Sequence, residues 1–109
     1  MKLIIAGGRD YVFNAKDIDN LNSIVNVIEV VSGCASGADY HGELWAISKN
    51  IPIKKFPANW GQHGNSAGPI RNKQMAEYAD AVALFPGGRG TDNMFRTALR
   101  FKLKIFDFR

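Results

Sequence analysis

The residues best suited to chemistry form the run Pro86-Gly87-Gly88-Arg89-Gly90-Thr91. It follows an apolar stretch, Ala81-Val82-Ala83-Leu84-Phe85, of the kind that makes a buried strand. It precedes a pattern in which Met94, Phe95, Ala98 and Leu99 fall on one helical face. A strand, a glycine turn and a helix together aim backbone N–H groups and the positive end of the helix at an anion. Glycines leave no Cβ between main chain and ligand. Thr91 can cap the helix or donate its hydroxyl to a phosphate. The expected guest is a phosphate-bearing small molecule, a nucleotide first among them. The plain alternative is a tight turn that joins two elements.

Two more small-residue turns follow apolar stretches. Leu3-Ile4-Ile5-Ala6 runs into Gly7-Gly8-Arg9-Asp10. Arg9 suits a phosphate, and Asp10 suits a ribose hydroxyl or Arg9 itself. An ordinary surface turn accounts for either residue equally well. A β-branched stretch near residues 28–32 runs into Ser32-Gly33-Cys34-Ala35-Ser36-Gly37-Ala38-Asp39. A helix is expected from Gly37 to about Lys49, with Ser36 as its cap and Leu44, Trp45 and Ile47 along it. Asp39 suits the helix dipole or a ligand, and the two readings weigh the same. Cys34 reads as a small packing residue, since no histidine is paired with it.

The remaining elements must position these turns. Asn14 opens a helix with Asp17 in its first turn and Ile18, Leu21, Ile24 or Val25, and Ile28 at helical spacing. Residues 51–56 read as a strand that starts beside a proline. A long loop from Pro57 to Gly68 follows, holding Trp60, His63, Asn65 and Ser66. Trp60 can stack on a base or pack back on the core. Ala67-Gly68-Pro69-Ile70-Arg71-Asn72 opens the next helix, which puts Arg71 and Asn72 in its first turn. Arg71 suits a phosphate; a surface ion pair is the alternative. A short final strand spans residues 104–108.

Alternating strands and helices imply an α/β fold: one domain, a mainly parallel sheet of about five strands and helices on both faces. Ligands of such sheets bind beyond the carboxyl ends of the strands. All three small-residue turns therefore converge on one edge. Neither the dinucleotide fingerprint nor a P-loop is present.

Composition bounds the rest. The chain has 109 residues, 46% hydrophobic and 22% charged, as expected of a single globular domain. No apolar run is long enough to span a bilayer, so no membrane role is expected. The opening residues are too short for a signal peptide. A single cysteine excludes an internal disulfide and suits the cytoplasm. His41 and His63 lack metal-ligand spacing, so neither metal nor cofactor is expected. The net charge of +4 favours anionic partners. The basic residues Arg96, Arg100, Lys102, Lys104 and Arg109 are spread rather than blocked, as on a solvated helix face.

Taken jointly, these runs resemble the SLOG superfamily, in its small YpsA/YspA-related branch of bacteria and phages. The match rests on Gly7-Gly8-Arg9-Asp10, Ser32-Gly33, Gly37-Ala38-Asp39, Trp60, residues 67–72 with Met75, Ala79-Asp80 and residues 86–91. The resemblance implies a Rossmann-like fold, a site for nucleotides or nucleotide-derived signals, and association as a homodimer. The expected ligand-binding residues are Gly7, Gly8, Arg9, Asp10, Ser36, Gly37, Asp39, Trp60, Arg71, Asn72, Pro86, Gly87, Gly88, Arg89, Gly90, Thr91 and Asn93.

The "lonely guy" phosphoribohydrolases are similar in Arg71-x-x-x-Met75 and in the glycine loop. Their motif continues Gly-Thr-x-x-Glu, whereas Met94 stands at the glutamate position here. A thioether cannot stabilise the oxocarbenium-like state of glycosidic cleavage as a carboxylate does. Asp92 lies roughly 200° around the helix from Met94. Binding without hydrolysis is therefore the first expectation. The alternative is an N-glycosidic hydrolase of nucleoside monophosphates, using Arg71 with Asp92 or Asp39. A third is a nucleic-acid-binding module, as in DNA-processing protein A.

Overall fold

A computed structural model describes residues 1–109. The elements are β1 (Lys2–Ala6), α1 (Ala15–Asn22), β2 (Glu29–Ser32), α2 (Ala38–Ser48), β3 (Ile53–Lys55), α3 (Trp60–His63), a 3-10 turn (Gly64–Ser66), α4 (Ala67–Tyr78), β4 (Ala81–Leu84), α5 (Arg89–Arg100) and β5 (Lys104–Asp107). The strands form one sheet in the order β3-β2-β1-β4-β5, and every neighbouring pair is parallel. This is the expected Rossmann-like α/β fold. The chain builds outward from β1 to β3, then returns to the other side of β1. A crevice opens where that direction reverses, at the carboxyl ends of β1 and β4.

The central strands are apolar throughout because both of their faces are covered. Leu3 and Ile5 point to one side, where they meet Leu21, Ile24, Trp45 and Ala46 of the α1–α2 region. Ile4 and Ala6 point to the other, against Met75, Ala76, Met94 and Ala98 of α4 and α5. Each fully buried Leu or Ile contributes about 1.5–3 kcal/mol. Asn14 opens α1 as expected. Its side chain accepts from the Asp17 N–H, and the Asp17 carboxylate accepts from the Asn14 N–H, both at 2.9 Å.

Several elements differ from the sequence pattern. α1 stops at Asn22, short of the helical spacing that runs on to Ile28, and Asn26 turns the chain with a left-handed φ of 63°. Ile28 is exposed. On α2, Trp45 faces the core and donates to the Asn22 side chain at 2.9 Å, while Leu44 and Ile47 face outward. The expected loop between Pro57 and Gly68 contains α3 and the 3-10 turn, and α4 begins within it. Asn59 caps α3 by accepting from the Gln62 N–H at 3.0 Å.

The three small-residue turns do meet at one edge, and backbone contacts lock them together. The Gly8 N–H donates to the Pro86 carbonyl at 2.8 Å, and the Gly8 carbonyl accepts from the Ala38 N–H at 3.1 Å. Gly37 has φ 73°, and a Cβ there would overlap the Gly8 carbonyl oxygen. A Cβ on Gly87 would overlap the Thr91 hydroxyl and stand 2.6 Å from the Gly8 nitrogen. Gly37→Ala and Gly87→Ala should each lower stability by about 2–3 kcal/mol. Gly88→Ala, whose Cβ would meet nothing within 4 Å, should change it by less than about 0.5 kcal/mol. Urea unfolding of the three variants checks both expectations.

Candidate ligand site

The crevice between β1 and β4 is a cavity of about 420 Å³. One wall is the turn after β1, with Gly7, Gly8 and Arg9. A second is the start of α5, with Gly88, Arg89, Gly90, Thr91 and Asn93. α4 supplies Arg71 and Asn72, and Asp39 comes from α2. Trp60, 46% exposed, stands at the rim.

The α5 wall has the chemistry of an anion site. The N–H groups of Arg89, Gly90 and Thr91 precede every acceptor that the helix could offer them. Added Cβ atoms on Gly88 and Gly90 would meet no protein atom within 4 Å. Packing therefore does not demand glycine at either position. Thr91 is not the cap that its type suggests. Gly88 is the N-cap, and Thr91 sits inside the helix, 5% exposed, with its hydroxyl beside Gly87.

Arg71 lies one turn further into α4 than expected, because the helix begins at Ala67. Its Nη1 donates to the Gly33 carbonyl, and its Nε donates to Asn72 Oδ1 at 3.1 Å. Buried Asn72 passes the link on, donating from Nδ2 to Asn93 Oδ1 at 3.0 Å and to the Gly90 carbonyl at 3.4 Å. The surface ion pair considered for Arg71 does not form. The chain's ion pairs are Lys55 with Glu43 and Arg109 with Asp92 and Asp107.

Asp39 is buried and accepts from the Ala35 N–H at 3.2 Å. Burial pushes its carboxyl up from 3.8 to about 6, against the pull of the Ala35 N–H and the Arg71 guanidinium. Burial likewise draws the Arg71 guanidinium below its ordinary value, and Asp39 opposes this. A Cβ on Gly33 would stand 2.5 Å from Arg71 Nη1 and 2.8 Å from Asp39 Oδ2, so glycine is what admits both side chains.

Five expected site residues lie outside this cavity. Ser36 is not the cap of α2: Gly37 holds that position, and the Ser36 hydroxyl donates instead to the Arg9 carbonyl at 3.0 Å. Ser36 lines an adjoining recess. Gly37 serves the packing of turns rather than the cavity wall. Asp10 is exposed on its turn, away from the cavity. Pro86 and Gly87 line a separate shallow depression with Asp92, Asp107 and Arg109. Asp92 faces that depression and pairs with Arg109 at 3.6 Å, which removes it as a carboxylate for this cavity. Asp39 is the remaining acid. Met94, 1% exposed, lines the cavity where the hydrolases carry glutamate.

Asn65 and Pro69 also line the cavity and were not expected there. A polar residue in a long segment is the only sequence signal that Asn65 offered. Arg9 lies over the Trp60 ring, 5.2 Å from its centroid. With Arg9, Arg71 and Arg89 against the single acid Asp39, the cavity is electropositive.

The family described as YspA, cpYpsA-related SLOG family (YAcAr) matches residues 1–63, which include the turns after β1 and β2. Gene 61 protein of Mycobacterium phage D29 is 33% identical over 98 residues, covering 83% of this chain and 78% of that protein. No solved structure matches the chain. The chain belongs to the YspA, cpYpsA-related SLOG family.

The raised Asp39 carboxyl has a consequence for stability. Between about pH 4 and pH 6 the folded chain holds a proton on Asp39 that the unfolded chain releases. The Asp39 contribution to stability should therefore be full below about pH 4 and fall as pH rises through 6. Asp39→Asn keeps an acceptor for the Ala35 N–H and should abolish this part of the pH dependence. Above pH 6 it should be the more stable protein. Urea unfolding of both proteins from pH 4 to pH 8 measures the difference.

Proposed function

We propose that this SLOG-family chain binds a nucleotide or nucleotide-derived small molecule without hydrolysing it. A phosphate would rest on the free N–H groups at the start of α5, with Arg71 beside it. Asn93 and Asp39 would meet the ribose, and Trp60 would face the base. One observation carries the reading. Gly88 and Gly90 leave open space beside a helix N-terminus in an electropositive cavity, where packing asks nothing of them. Buried Met94, at the position where the similar phosphoribohydrolases carry glutamate, supports binding over hydrolysis.

Gly90→Ala tests it. The substitution adds a helix-favouring residue inside α5, worth roughly 0.5–1 kcal/mol of stability. Its methyl group would intrude on the phosphate and should weaken binding at least tenfold, or about 1.4 kcal/mol. Thermal shift with nucleoside mono-, di- and cyclic phosphates reads both effects. No shift for any of these compounds with the parent protein overturns the proposal.

A second reading, cleavage of an N-glycosidic bond, is favoured by Asp39 alone, a buried carboxyl at about 6 that lines the cavity near Arg71. Under it, the parent protein releases free base from a nucleoside monophosphate and Asp39→Asn does not. Chromatography of the reaction mixture decides, and an absence of base release at high protein concentration removes this reading.

A further inference from the structure

We infer that the site has a second lobe, and that its ligand is a diphosphate diester with a separate moiety at each end. This rests on the nucleotide reading above and specifies its substrate class. Beside the cavity lies a recess of about 320 Å³, lined by Cys34, Ser36, Pro57 and Ala58 among others. Arg9, Ala35, Trp60 and Arg71 line both spaces and so mark their junction. Each space on its own is at the low end for a small-molecule site, roughly 300–1,000 Å³.

Charge identifies what crosses the junction. Two guanidinium groups meet there, and neither has a carboxylate within ion-pair distance. Arg71 spends Nη1 on the Gly33 carbonyl and Nε on Asn72, which leaves Nη2 without a partner in the chain. The Arg9 guanidinium has the Trp60 ring as its neighbour and no acceptor. Asp39 offsets part of this charge through space, but Arg9 and Arg71 still repel each other, so a further anion at the junction is favourable. The α5 amides take one phosphate, and the Arg9–Arg71 pair takes the next. The group esterified to that second phosphate then enters the recess. Its lining of a hydroxyl, a thiol and the apolar Pro57 and Ala58 suits a sugar or a second nucleoside.

Calorimetric titration with two series decides the matter: AMP, ADP and NAD, then UMP, UDP and UDP-glucose. In at least one series the diester should bind ten or more times tighter than the monophosphate. Ala58→Trp and Pro57→Trp fill the recess alone. Each should abolish that gain while leaving monophosphate affinity within twofold. Thermal melts confirm that a variant is folded; if neither folds, the ligand series decides by itself. Diesters that bind no tighter than monophosphates overturn the second lobe and leave the nucleotide reading standing. So does a folded variant that keeps the gain. A parent protein that binds none of the six compounds overturns the nucleotide reading, and the second lobe with it.

Discussion

Gly8 holds the working edge of the molecule together. Its N–H reaches the turn after β4 and its carbonyl reaches the start of α2. Three strand-ending turns, far apart in the chain, are thereby fixed against one another by main-chain atoms. Side chains at this point would only separate them: Gly7 would place a Cβ 2.7 Å from that of Ala38, and Gly8 one 3.0 Å from the Pro86 carbonyl. The parallel sheet brings these turns to the same edge, and their small residues allow them to touch.

The glycines of this edge fall into two groups with different physical causes. Gly7, Gly37 and Gly87 are required by neighbours that already occupy the space, and Gly8 and Gly33 sit against close backbone and side-chain atoms. Gly88 and Gly90 are not. Within a few residues of the same turn, packing explains one glycine and leaves the next two unexplained. The unexplained pair lies where the helix presents free amides to the cavity. The network from Gly33 through Arg71 and Asn72 to Asn93 and the Gly90 carbonyl then braces that helix start from behind.

Much of this was legible in the sequence, and the physical reason is that both signals were local. Continuous apolar runs specify strands covered on both faces, and a small-residue turn directly after each run specifies the edge at which the turns meet. What escaped was set by distant contacts. Ser36 has the side chain of a helix cap, yet the close approach of Gly8 hands that position to Gly37. Thr91 was displaced in the same way by the early start of α5 at Arg89. The end of α1 was hidden because apolar spacing continues past Asn22 while the chain turns at Asn26. The recess beside Pro57 and Ala58 depends on how the segment after β3 folds back toward Arg9, which no spacing rule reports.

Because the three turns are clamped by the backbone itself, the amides at the start of α5 are oriented before any guest arrives. The ordering entropy of that wall is lost once, during folding, and is not lost again at each encounter. On the nucleotide reading proposed above, capture would be governed by diffusion and by attraction to the arginine-rich mouth, with little rearrangement of the main chain.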